Sequence, residues 1–187
     1  MTSLQNLNQT TYPQQHILAC RKSEAIEWQQ WLFELESTTK IFERYRGHKV
    51  ALFHSDGYTF AVQLFALWLN EAVPVLLPNN TPGTLQNVKR LSLSTLNNVP
   101  LAEADETEKN RRGGDNLLSL SKNSRLQLFT SGSSGSPKLI DKTLTQLDAE
   151  LDQLKTLWPD LNKVNTLAAT VSHQHIYGLL FQILLPL

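Results

Sequence analysis

The chain of 187 residues has one cysteine, Cys20, and equal numbers of basic and acidic side chains, 17 of each. With a single thiol, neither a disulfide nor a cysteine-based metal site can be built within the chain, a usage that suits a reducing compartment. A formal net charge of zero provides no long-range attraction to nucleic acid or to an anionic membrane surface. No apolar run is long enough to span a bilayer, and the opening MTSLQNLNQTTYPQQ lacks the basic stretch and apolar core of a secretion signal. The expectation is a cytoplasmic protein with no membrane span and no nucleic-acid partner. Hydrophobic residues make up 41% of the chain, enough for a packed core. The stretch from Phe181 to Leu187, FQILLPL, has no polar tail. Chain ends usually lie exposed, so this ending reads as the interior of a domain and the polypeptide as a truncated or split one.

What is present alternates between strand-like and helix-like runs. Ser23 to Leu35 reads as a helix capped by Ser23, with Trp28 and Trp31 sharing one packing face. Lys49 to Phe53 reads as a buried strand, and His54-Ser55-Asp56-Gly57 as the turn after it. Adjacent His, Ser and Asp point in different directions and do not make a triad, so turn chemistry is the expected role. Tyr58 to Asn70 is an apolar helix, Val73 to Leu77 a second strand, and Thr81 with Pro82 opens a third helix. Strand and helix alternating at short intervals predict an α/β fold, a layered parallel-type sheet with packed helices. Residues 100–115 are rich in charge and read as a solvated surface loop. Thr143 to Leu157 carries leucines at 144, 147, 151 and 154 and predicts a core-facing helix. It is ended by Pro159, and Val164 to Val171 follows as a strand-like run.

The most specific stretch is Leu126 to Lys138, LQLFTSGSSGSPK. An alternating apolar run turns abruptly into hydroxyls and glycines. Gly132 and Gly135 can adopt backbone conformations closed to other residues and let N–H groups turn inward around an anion. Thr130, Ser131, Ser133, Ser134 and Ser136 add hydroxyl donors, and Lys138 adds a mobile positive charge. Ser136 and Pro137 separate Gly135 from Lys138, which excludes a Walker loop; only two residues separate the glycines, which excludes a G-x-S-x-G elbow. A flexible Ser/Gly linker is not expected between a strand-like run and a helix.

TSGSSGSPK resembles the phosphate-binding signature of the adenylate-forming superfamily, which includes acyl- and aryl-CoA synthetases, peptide-synthetase adenylation domains and luciferases. The order of strand, apolar helix, strand and helix before the loop is similar to that family too. The resemblance implies that residues 1–187 form an incomplete N-terminal subdomain, with the phosphate loop at 130–138 holding a nucleotide through Thr130, Ser131, Gly132, Ser133, Ser134, Gly135 and Lys138. It also likens Ser172 to Gly178, SHQHIYG, to the family's next signature, in which His175 would line the acid pocket near the carboxylate and Tyr177 and Gly178 would shape its wall. His173 and His175 alone do not make a metal site, and none is expected. The sequence departs from the family by lacking a proline between Thr170 and Ser172 and by having Leu139-Ile140 after Lys138.

By this resemblance the chain contributes the triphosphate loop of an ATP-dependent, AMP-forming carboxylate ligase, with ATP and Mg2+ as cofactors, a carboxylic acid as substrate, and CoA or a carrier protein as acceptor. The family's adenine-binding segment, ribose-holding aspartate, hinge and catalytic lysine lie further along its chains. No complete catalytic set is therefore expected here, and a second chain is a possible source of the rest. Two alternatives stand beside it: a non-catalytic remnant or scaffold that docks a partner, and a general phosphate-binding protein.

Overall fold

The computed structural model describes residues 3, 4, 7, 11–21, 24–96, 120–130, 138–163 and 166–187. The predicted charged loop at 100–115 and residues 131–137 of the phosphate loop lie outside them. A hairpin of β1 (Ile17–Arg21) and β2 (Glu24–Glu27) leads into α1 (Trp28–Phe42). Then come β3 (Lys49–Leu52), α2 (Gly57–Leu69), β4 (Val73–Leu76), α3 (Pro82–Arg90) and the short β5 (Ser94–Thr95). The hairpin strands β6 (Arg125–Thr130) and β7 (Lys138–Thr143) are followed by α4 (Leu144–Leu157) and the short α5 (Ile176–Gly178), which continues into a π-helical turn at Leu179–Leu184.

The five-stranded sheet has the order β5-β3-β4-β6-β7. The first four run parallel, as the alternation predicts, and β7 is antiparallel to β6. Val50 to Leu52 and all of Val73 to Leu76 are buried, the pattern of strands covered on both faces. α2 is buried almost all round, from Thr59 to Trp68, and acts as the central post. Trp31 stacks on Trp28 at 4.9 Å between ring centroids and meets Phe65 edge-on at 5.4 Å, which joins α1 to α2. Trp68 donates from Nε1 to the Arg125 carbonyl at 3.1 Å, tying α2 to β6.

Three expectations need correction. The first helix begins at Trp28 rather than Ser23, because Ile26 belongs to the β1–β2 hairpin. The helix takes its first bonds from that hairpin's approach: Trp28 N–H donates to the His16 carbonyl and Gln29 N–H to the Gln14 carbonyl. These satisfy the orphan donors that a capping side chain would otherwise serve. Thr81 does sit at the N-cap of α3, but its hydroxyl donates to Asn79 Oδ1, as does that of Thr84. Third, residues 166–171 are exposed and form no strand. Their β-propensity finds no ladder, and β7 occupies the edge beside β6.

The leucine stripe of α4 packs inward as its spacing predicts, with Thr143 and Gln146 closing a capping box at its start. Asp148 lies off that stripe yet is buried, because Ser3 Oγ (2.7 Å) and the Leu4 N–H (2.9 Å) both donate to its carboxylate. Leu179, Leu180, Ile183, Leu184 and Leu185 enter the same core, and the Tyr12 hydroxyl donates to the Leu187 carbonyl at 2.6 Å. Among the described residues no helix is long and apolar enough to cross a membrane.

Candidate functional site

Parallel strands deliver their C-terminal ends to one edge of a sheet, where α/β proteins place their ligand-binding loops. Here that edge receives His54 to Asp56 after β3, Leu77 and Pro78 after β4, and Thr130 at the end of β6. The ladder pairs Thr130 with Lys138, so the two ends of the glycine-serine stretch face each other across a hairpin. Lys138 is exposed at the first position of β7. Of the predicted phosphate-loop residues, the structure places the backbone of Thr130 and the whole of Lys138. Ser131, Gly132, Ser133, Ser134 and Gly135 lie outside the described residues.

Asp56 behaves as turn chemistry predicts. It caps α2, its Oδ2 accepting from the Thr59 N–H at 2.9 Å and the Thr59 hydroxyl at 2.7 Å. The Asp56 N–H in turn donates to His54 Nδ1 at 3.0 Å. Two side chains, 119 and 120 residues further along, converge on the His54 carbonyl. His173 Nε2 donates to that oxygen at 2.8 Å and Gln174 Nε2 at 2.7 Å, which satisfies both of its lone pairs.

His173 and Gln174 are buried, whereas His175 is exposed and serves as the N-cap position of α5 without a side-chain capping bond. The next turn comes so close that a Cβ built on Gly178 would stand 2.1 Å from the Ser172 carbonyl oxygen. Only glycine fits there. Beyond this contact lies an open groove of about 370 Å³, walled by Leu167 to Val171 on one side and by Tyr177, Gly178 and Phe181 on the other. Of the predicted pocket residues, Tyr177 and Gly178 line the groove and His175 does not. The buried pair that anchors the groove to the sheet, His173 and Gln174, was not singled out by the sequence for this role. Its one legible signal is the run of four polar residues, Ser172 to His175, between Val171 and the apolar run from Ile176.

Desolvation pushes the His173 pKa below the ordinary histidine value, against the opposing influence of its bond to His54 and of the Asp56 carboxylate; His54 adds to the lowering. The folded state thus holds a neutral ring that the unfolded chain would protonate near pH 6.5. As pH falls from that value toward the lowered folded pKa, the unfolded state binds more protons than the native one, so stability declines through this window. The expected result in urea titrations at stepwise lower pH is a steeper loss for the native chain than for His173→Gln. Parallel curves would mean that His173 does not carry the proton linkage.

Among the described residues no three His, Cys, Asp or Glu side chains group as a metal site, and Cys20 is a free, exposed thiol.

No family model matches the chain, and no curated protein matches it in sequence. Solved structures match it in fold. The o-succinylbenzoate CoA synthetase of Bacillus subtilis, in complex with its acyl-adenylate intermediate, superposes with a TM-score of 0.65 at 12% identity, over 95% of this chain and 52% of that one. A four-domain nonribosomal peptide synthetase bound to AMP and glycine gives 0.64 at 16% identity, over 99% of this chain and 15% of its own length. The N-terminal subdomain of NpsA from Klebsiella oxytoca, in complex with 3-hydroxybenzoyl-AMSN, gives 0.55 at 18% identity, over 73% of this chain and 39% of that one. The chain has the fold of the N-terminal portion of adenylate-forming enzymes, and spans about half or less of the length of these neighbours.

Proposed function

We propose that this chain is the N-terminal portion of an ATP-dependent, AMP-forming carboxylate ligase and that it contributes the grip on the triphosphate. One observation carries the reading: the motif TSGSSGSPK begins at Thr130 and ends at Lys138, and these two residues pair at the ends of β6 and β7, on the edge to which the parallel strands β3, β4 and β6 point. A glycine- and hydroxyl-rich loop at that edge can turn N–H and O–H donors toward phosphate oxygens. Lys138, exposed at the start of β7, adds a positive charge there. The structural neighbours crystallised with AMP or an acyl-adenylate support the same reading.

In this reaction a carboxylate attacks the α-phosphorus of ATP, the bond to the β-phosphate oxygen breaks, and pyrophosphate leaves. Charge neutralisation and in-line positioning do most of the work in phosphoryl and nucleotidyl transfer. The loop and Lys138 would hold the departing pyrophosphate, with Mg2+ supplying further neutralisation of the phosphate charge when bound, and the acid would lie in the groove beside Tyr177 and Gly178, with His175 near its carboxylate. Thioester formation on CoA or a carrier protein would follow. The adenine, ribose and catalytic-lysine segments of the resembled family are not matched in this chain, so it is not expected to complete the reaction unaided.

Exchange of labelled pyrophosphate into ATP tests this directly, with a panel of carboxylic acids and with the chain both alone and mixed with a polypeptide carrying those segments. Acid-dependent exchange in the mixture is the expected result. No exchange with any acid would favour the second reading, a non-catalytic module, whose support is the set of exposed apolar side chains at Trp158, Val171 and Tyr177.

A further inference from the structure

The groove between Leu167–Val171 and the α5 turn carries a chemical signature of its own. Among the described residues its side chains are aliphatic or aromatic, apart from the hydroxyls of Thr170 and Tyr177, and none that lines it bears a charge. Tyr177 and Phe181 stand four residues apart on the helical turn, so both rings face the same side. The volume of about 370 Å³ lies near the lower end of small-molecule pockets, roughly 300–1,000 Å³. The turn between the groove's two lining segments is held in place, since His173 and Gln174 both donate to the His54 carbonyl.

We infer that this groove selects a ring-sized, uncharged, apolar carboxylic acid, an aryl acid, over an amino acid or a long-chain fatty acid. The inference rests on the ligase reading for the fate of the carboxylate, and concerns only the part of the acid that the groove receives. Among the described residues the groove's lining has no carboxylate to pair with an α-ammonium group, so one drawn to its mouth beside the acid's carboxylate would lose water without an ion partner, a penalty that a neutral ring escapes. A long alkyl chain would overrun a groove of this volume and leave many of its methylenes in water. A flat ring instead meets Tyr177 and Phe181 in offset or edge-on contact. The two hydroxyls could accept or donate to a ring substituent without demanding one.

Trp158 supplies a built-in reporter. Its ring lies 6.0 Å from that of Phe181, and it is 51% exposed, while Trp28, Trp31 and Trp68 are buried. Acrylamide-sensitive emission therefore comes from Trp158. Benzoate, phenylalanine and palmitate are titrated against the native chain in the presence of MgATP, with Trp158→Phe as the signal control. The expected result is saturable benzoate binding at least tenfold tighter than either competitor. Ala169 is exposed, so Ala169→Asp should retain the circular dichroism of the native chain while weakening benzoate at least tenfold and improving phenylalanine. Equal or tighter binding of phenylalanine or palmitate, no response to any of the three, or unchanged benzoate affinity in Ala169→Asp would overturn the inference. Calorimetry with MgATP separates this from the ligase reading. A chain that binds MgATP through Lys138 but fails with benzoate loses the groove's specificity alone. One that binds benzoate but not MgATP loses the ligase reading alone.

Discussion

Gly178→Ala is expected to destabilise the chain by about 3 kcal/mol, the upper end of what overpacking typically costs. The backbone torsions at Gly178 are helical (φ −65°, ψ −38°), so conformational strain is not the cause. Space is: the new methyl would stand 2.1 Å from the Ser172 carbonyl oxygen, 2.5 Å from its carbon and 2.8 Å from the His173 nitrogen. All three are backbone atoms and cannot swing aside as a side-chain tip could. Relief requires moving the Ser172–His175 turn away from α5, which pulls His173 and Gln174 off the His54 carbonyl. Leu179, Leu180, Ile183 and Leu184, buried just beyond, would shift with it. In a domain of this size such a loss corresponds to a fall in Tm of roughly 6–12 °C. Gly83→Ala is the control, since a Cβ there meets nothing within 4 Å and alanine favours a helix over glycine. A Tm within a degree or two of native for Gly178→Ala would mean that the turn has room that the structure does not give it. The variant should also lose the pH-dependent decline assigned to His173, which mere softening elsewhere would not remove.

Much of this arrangement is legible in the amino-acid order because burial leaves a pattern. β3, β4 and α2 are enclosed on all sides and read as continuous apolar runs. α4 has one buried stripe, and its leucines announce it. β6 was visible in Leu126 to Phe129 for the same reason. The elements that were not legible are those shaped by backbone pairing or by distant contacts. β7, KLIDKT, is largely exposed and carries Lys138, Asp141 and Lys142, the charged composition of a sheet edge. Its strand identity comes from six ladder pairs with β6, which no periodicity reveals. The β1–β2 hairpin likewise hides Ile26 inside what reads as the start of a helix.

The candidate site divides along the same line. Its loop could be recognised because glycines, hydroxyls and a lysine at fixed spacing have few other uses. Its groove could be located through Tyr177 and Gly178, but not its anchor. His173 and Gln174 matter through the His54 carbonyl, a backbone atom more than a hundred residues away, and a backbone acceptor leaves no trace in sequence. The same two bonds hold the turn at which the family resemblance would have led one to expect a stiffening proline.

Lys138→Ala carries the largest expected effect on ligand binding. The side chain is exposed at the mouth of the β6–β7 hairpin, and the ladder that pairs this strand with β6 is made of backbone, so alanine should preserve the hairpin. A charge-assisted hydrogen bond to phosphate is worth about 1.5–3 kcal/mol, so its removal should weaken binding roughly 10- to 150-fold. Because Lys138 is taken to meet the β- and γ-phosphates, the loss should be larger for ATP than for AMP. Titration calorimetry of MgATP into the native chain and into Lys138→Ala is therefore the most direct measurement of whether this hairpin grips a triphosphate. The expected result is measurable heat for the native chain and at least a tenfold loss of affinity for the variant, with both proteins giving the same far-UV circular dichroism. Identical titrations, or no binding to either protein, would contradict it.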